Sequence, residues 1–288
     1  MAAPAQLSPG ELTASGLVNA QVWIDRAPWR PAGLWAGIAG LLAAGVLWPV
    51  ATVDWKTLAL ALVLVDVLWG SIWRLAGGRA VLLPLTARSL SQRVWMPYLQ
   101  SGSPAARLFG GDHTDLWPIA FRVGVPAILL ALAVSAVLGA DALVFTGLVA
   151  LAAVLGWTAQ RTLHGIPLLL LSLVSIGLPW LLVLRLVATE LTDSDLLVHG
   201  ILVMLWVFHH WGELRLRGDA GDWSGLALLA ASEIALCIYL VVVQAPLWLA
   251  IVVVLFLPTW LAVFRGYPLQ GMRLFWLAAM LVSALAVS

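Results

Sequence analysis

The chain alternates between long apolar stretches and short polar connections. Nine stretches stand out, at 33–53, 57–75, 118–138, 142–159, 166–187, 196–208, 224–243, 247–264 and 275–287. A helix needs about 20 apolar residues to cross the hydrocarbon core of a bilayer, and most of these stretches approach that length. The pattern predicts an all-α fold: a polytopic membrane helical bundle of about nine transmembrane helices, forming one domain over 33–288. Residues 1–32 precede it as an Ala- and Pro-rich cytoplasmic or interfacial segment, in which Trp23, Ile24 and Trp29 point to the membrane surface. Two connections are not short. Residues 77–117 are punctuated by Gly and Pro, and residues 215–223 are dense in charge; long ordered loops of this kind usually carry function.

Charge gives the helices a direction. With the N-terminus in the cytoplasm, Arg26, Arg30, Arg74, Arg79, Arg88, Arg93, Arg107, Arg122, Arg161, Arg215, Arg217, Arg265 and Arg273 fall on the cytoplasmic side, and only Lys56 and Arg185 on the other. That is the distribution expected when Lys and Arg are retained in short cytoplasmic loops. Asp54, Asp141, Glu190, Asp193 and Asp195 mark the outer connections. Composition agrees, with 62% hydrophobic and only 10% charged residues over 288 positions, whereas soluble chains carry roughly a quarter charged. The expected location is a bacterial cytoplasmic membrane. A net charge of +1 excludes a nucleic-acid partner, which needs a basic face. The single cysteine, Cys237, excludes an internal disulfide framework or thiolate cluster. Residues 1–32 lack the basic start and apolar core of a secretory signal. Several of the 17 tryptophans, including Trp55, Trp73, Trp211, Trp223 and Trp248, fall near predicted span ends and are read as interfacial anchors.

Few residues inside the spans carry chemistry. Asp66 lies near the middle of the second span and Glu233 near the middle of the seventh. A charge at bilayer depth costs about 2.5–3.5 kcal/mol on insertion scales, so such residues face a cavity or a partner. Each sits roughly 12–16 Å from the cytoplasmic end of its helix, which allows both to face one cavity. Asp66, Gly70 and Arg74 recur at i, i+4 and are expected on one helix face, with Arg74 at the mouth and Arg79 following it. Arginine forks suit phosphate. Two acidic groups, Asp112–His113–Asp115 and Glu213–Asp219–Asp222, offer oxygen ligands of the kind that hold Mg²⁺. His199, His209 and His210 flank the sixth span, and His164 lies near the same face as His209; their spacing does not match a paired-histidine haem pattern.

Nine spans, a cytoplasmic N-terminus and long cytoplasmic connections after spans two and six resemble the UbiA-type intramembrane prenyltransferase superfamily. The closest local resemblance is at 212–225, ending Arg-Gly-Asp-Ala-Gly-Asp-Trp-Ser-Gly, where Gly218, Asp219 and Gly225 match the Gly-Asp and later Gly of the family's second motif. Arg215 and Arg217 stand where that motif places acids, and alignment of the first acidic motif on Asp66 puts Gly70 and Arg74 at its later positions. The resemblance implies a lipid-lined cavity and, in members with intact motifs, Mg²⁺ on the diphosphate of an isoprenoid donor.

Three readings follow. The first is a UbiA-like protein that binds an isoprenoid, quinone or prenylated pigment through Asp66, Arg74, Arg79, Arg215, Arg217 and Glu233, as a non-catalytic or accessory subunit beside other membrane subunits. The second is an active Mg²⁺-dependent prenyltransferase with diverged motifs, its metal on Asp112, Asp115, Asp219 and Asp222. The third is a small proton-coupled transporter working through Asp66 and Glu233.

Overall fold

The computed structural model describes residues 33–45, 54–76, 125–159, 166–188, 192–218, 221–267 and 269–288. Every regular element among them is helical. In chain order they are α1 (Gly33–Ala43), α2 (55–76), α3 (Val125–Leu138), α4 (Ala140–Ala159), α5 (Ile166–Val187), α6 (Asp193–Gly218), α7 (Trp223–Val242), α8 (Pro246–Arg265) and α9 (Arg273–Leu285), the last preceded by a 3₁₀ turn at Leu269–Met272. Four helical runs are both long and apolar enough to cross a membrane by length and composition: Trp55–Trp73, Ile166–Val187, Trp223–Val242 and Pro246–Arg265.

Two expected spans change in the structure, and a third is described only in part. The stretch 33–53 yields an α1 of only 11 residues, about 17 Å of helix against a core of about 30 Å. The chain turns at Gly45, whose φ of +73° lies in the left-handed region that ends helices; residues 46–53 lie outside the described ones. Only Val125–Leu138 of the stretch 118–138 is described as helix. The stretch 196–208 is part of a 26-residue helix that continues to Gly218. The expected charged connection 215–223 therefore begins as helix. Glu213 and Arg217 form an i, i+4 pair there, and arginines in a last turn meet the negative end of the helix dipole.

Two helices carry π segments. Leu64–Leu68 interrupts α2 and Leu173–Gly177 interrupts α5. Both pack against α1. The π turn in α2 also displaces the i, i+4 register used to set Asp66, Gly70 and Arg74 on one face. Backbone approach between α1 and α5 is close: a Cβ at Gly40 would collide with the carbonyl of Trp180.

The helices bury two large apolar clusters that share α5, and a small third one of Leu58, Ala61 and Val183. One gathers Ala36, Trp180, Leu202, Leu229, Trp276 and Met280 from α1 and α5 through α9. The other gathers Leu64, Trp69, Ala131, Val149 and Leu182 from α2 through α5. In the second, the Trp69 indole donates to Thr146 Oγ1 at 2.9 Å, and Thr146 and Ser135 share a 2.6 Å bond. Interhelical hydrogen bonds of this kind join helices where apolar burial alone does not distinguish a neighbour from lipid. The outer faces of α3, α4, α7 and α8 expose Leu129, Val144, Val154, Ile234, Val254 and Leu261, the surface expected of helices that face hydrocarbon.

Candidate functional site

The polar chemistry of the described residues concentrates on α6. Its inward face runs through Leu202, Val203 and Trp206 and then changes character. His209, His210 and Glu213 are all buried. The spacing follows helical geometry: residues 206, 209, 210, 213 and 217 recur at threes and fours and so share a stripe. Gly212 stands on the neighbouring strip, where its contact with the backbone of Gly225 and Leu229 in α7 leaves no room for a side chain. The tight crossing brings α7 against the polar turns of α6.

Glu213 is the centre of one network. His210 Nδ1 lies 2.9 Å from its Oε2. Arg273, at the start of α9, donates from Nε to Oε1 at 2.9 Å, and Arg217 donates to the same oxygen from Nε at 3.0 Å and from Nη2. Arg273 is itself 6% exposed. One buried carboxylate thus ties α6 to α9 and compensates two guanidinium groups in a low-dielectric environment.

Glu233 of α7 is the centre of the second. It accepts from the Trp260 indole of α8 at 2.7 Å and pairs with His209 Nε2 at 3.3 Å. The His209 ring sits among aromatic rings, with centroids 5.0 Å from Trp206, 6.0 Å from Phe256 and 5.2 Å from Trp276. Two of those indoles are pinned: Trp206 donates to Ser283 Oγ and Trp276 to Thr259 Oγ1. The two networks begin on adjacent residues, His209 and His210, and diverge.

At the connection between α6 and α7, Asp222 caps the next helix. Its Oδ1 accepts from Ser224 N and Oγ, and its Oδ2 from Arg215 Nε at 2.7 Å. The bond from Arg215 holds the Asp222 carboxyl well below the usual carboxylate range. A cleft of about 530 Å³ opens beside it, between this connection and the one that follows α8, lined by Leu216, Asp222, Leu226, Val263, Tyr267 and Leu269 among others.

Asp66 stands apart. It lies in the π segment of α2, is 9% exposed, and accepts from the backbone N–H of Leu34 at 3.4 Å. Its carboxyl therefore meets the N-terminal turn of α1, where unsatisfied N–H groups and the helix dipole favour negative charge. Glu233 has wholly different partners, so the expectation that the two carboxyls face one cavity gains no support from their bonds.

The other expected residues separate as follows. Arg215 and Arg217 share the last turns of α6 but go to different acids, Asp222 and Glu213. The acidic group Glu213–Asp219–Asp222 does not assemble around one point from its described members, because each is claimed by an arginine one or two turns away. Arg74 lies in the last turns of α2. Arg79, Asp112, Asp115, Asp219 and His164 lie outside the described residues. Among the described residues, no group of three or more His, Cys, Asp or Glu is arranged to hold a metal. Asp222 in particular does not fit Mg²⁺, since both its oxygens are taken by Ser224 and Arg215. Spacing along the chain singles out neither Arg273 nor Trp260 as a partner of these acids. The available signal was the threefold and fourfold recurrence of Trp206, His209, His210, Glu213 and Arg217, which places them on one face; the partners on α8 and α9 have no counterpart in spacing. No family model matches this chain, and neither a curated protein nor a solved structure does.

Proposed function

We propose that this chain is a nine-span membrane protein with a cytoplasmic N-terminus, similar to the UbiA-type superfamily, that holds an isoprenoid, quinone or prenylated pigment as a non-catalytic or accessory component of a membrane complex. The observation that carries the reading is the pairing of acids with arginines where the family places metal-binding acids. Glu213 is saturated by His210, Arg217 and Arg273, and Asp222 by Arg215 and Ser224. Carboxylates committed in this way are poor Mg²⁺ ligands. Among the described residues the same end carries Arg215, Arg217, Arg265 and Arg273 against Glu213 and Asp222, a local excess of positive charge that suits an anionic or strongly polar head.

The test is native mass spectrometry of gently purified protein, with lipid extraction and titration of geranylgeranyl diphosphate with and without Mg²⁺. The expected result is a co-purified isoprenoid or prenylated molecule and binding that Mg²⁺ leaves unchanged. Mg²⁺-dependent diphosphate binding followed by transfer to an acceptor would favour the active-enzyme alternative.

One observation favours a second reading, a proton-coupled carrier. The half-length α1 packs against two π-interrupted helices, and one interruption holds Asp66 at the α1 terminus. Discontinuous helices at mid-depth are the recurring frame of ion-coupled sites, and π segments concentrate at functional positions. Proteoliposomes loaded with a pH-sensitive dye separate the cases. Proton flux lost in both Asp66→Asn and Glu233→Gln supports a carrier; flux absent from the parent protein, or unchanged in both variants, removes it.

A further inference from the structure

Glu213 and Glu233 are both buried, at 3% exposed each, yet their partners differ in kind. Glu213 is held by Arg217 and Arg273, whose guanidinium charge is permanent. Among its described partners Glu233 has no guanidinium or ammonium group. It accepts from the Trp260 indole, which carries no charge, and it meets His209 Nε2 at 3.3 Å. Glu213 is therefore a fixed anion, whereas the charge at Glu233 depends on where a proton sits.

The surroundings supply no other counter-ion. Glu233 lies midway along α7, and the His209 ring is enclosed by Trp206, Phe256 and Trp276. On α6, His210 is bonded to Glu213. On α7, Cys237 is a free thiol one turn beyond Glu233, and the Tyr239 hydroxyl donates to the carbonyl of Val198. Among the described residues, α5, α8 and α9 contribute only Arg185, Arg265 and Arg273 as charged groups. Arg185 pairs with Asp141, Arg273 is bonded to Glu213, and Arg265 ends α8 more than a turn beyond Trp260. A lone charge in an apolar interior is far costlier than a neutral or paired one. One proton meets that requirement in either of two places. On His209 it makes an ion pair with Glu233, and on Glu233 it makes a neutral hydrogen-bonded pair. The aromatic rings favour the first form, because their faces attract a cation within about 6 Å of the centroid.

We propose that His209 and Glu233 together form a proton-binding site at mid-depth in the bundle, which holds one proton at neutral pH beyond the N–H that a neutral imidazole already carries. The proton comes from water, bonds to the ring nitrogen or the carboxylate oxygen, and returns to water when it leaves. The inference deepens the carrier reading, on which any role in transport rests, by joining Glu233 to His209 instead of to Asp66.

The experiment uses the full chain in detergent micelles at pH 7, labelled with ¹⁵N-histidine. Nitrogen chemical shifts separate imidazolium from both neutral tautomers, and infrared spectra show the C=O stretch of a protonated carboxyl. The chain has five histidines, and the His209 signal is the one lost in His209→Gln, or in His209→Asn where the first variant does not fold. The parent protein is expected to show His209 as imidazolium, and Glu233→Gln to show it neutral with the His210 signal unchanged. A carboxylic-acid band in the parent that is lost in Glu233→Gln supports the same site with the proton on the other partner. In the His209 variant the carboxyl must take the proton itself, so a new acid band is expected there and should vanish when Glu233→Gln is added. A parent protein with neutral His209 and ionised Glu233 overturns the proposal, and so does a His209 variant without the acid band. Occupancy is read at equilibrium, apart from flux. An occupied pair in a protein that passes no protons across liposomes removes the carrier and leaves the site standing, whereas proton flux through a protein whose pair is empty overturns the site and leaves the carrier.

Discussion

Glu213 meets three side chains that can carry positive charge, from two helices, in a place almost closed to solvent. Breaking a buried ion pair by removing one partner typically costs about 3–5 kcal/mol, because the charge left behind has lost both water and its counter-ion. Glu213→Leu is therefore expected to destabilise the protein by about that amount, since it strands Arg217 and Arg273 together. Arg273→Met is expected to cost less, as Arg217 and His210 still face the carboxylate. Thermal unfolding in detergent, followed by far-ultraviolet circular dichroism, reads both; an unfolding midpoint for Glu213→Leu equal to that of the parent would show that the network carries no stability. At this scale the sequence was informative about half of each pair. Arg215, Arg217 and Glu213 are conspicuous as charges near a span end, and the i, i+4 spacing of Glu213 and Arg217 is a local fact. That Arg273 completes the set depends on α9 returning beside α6, which no local spacing contains.

Among the elements, α1 departs furthest from its expected form. A run of apolar residues predicts a span of ordinary length, yet the helix ends at Ala43 and is held by backbone contacts with α2 and α5. Two glycines make opposite predictions. Gly40→Ala places a methyl group against the carbonyl of Trp180 and is expected to cost about 1–3 kcal/mol through backbone displacement. Gly147→Ala, in α4, meets nothing within 4 Å, so it is expected to be neutral or to stabilise by up to about 1 kcal/mol through helix propensity. Unfolding midpoints of the two variants should shift in opposite directions or by clearly different amounts; matching losses would mean that α1 and α5 are not in backbone contact. The two π segments differ in how legible they are. Leu-Val-Asp-Val-Leu in α2 contains no proline or glycine, so its extra residue is decided by what the helix packs against. Leu-Val-Ser-Ile-Gly in α5 ends two residues before Pro179, and Gly-Leu-Pro there predicts a kink, because proline lacks the N–H that would close a helical bond.

Over the whole molecule, the two ends differ in charge. Arg185 pairs with Asp141 at one end, where Asp54 and Lys56 also begin a helix, while Arg215, Arg217 and Arg273 meet Glu213 and Asp222 at the other. If the chain crosses the bilayer with its N-terminus inside, cysteines introduced into a Cys237→Ser background at Thr192 and at Arg265 should react with a membrane-impermeant maleimide from opposite sides. In intact cells Thr192→Cys is expected to label and Arg265→Cys to label only after lysis; the same sidedness at both positions would contradict the topology. What the sequence determined by itself is the helical class, the membrane solvent and the segregation of charge along the chain, because each follows from the composition and order of residues within about 20 positions. What only the tertiary structure decided is which charges neutralise one another. Asp66 capping α1, Glu233 joining His209 and Trp260, and Glu213 gathering Arg217 and Arg273 all depend on helices meeting at particular depths, and the apolar surfaces that bring them together are too uniform in sequence to specify the meeting.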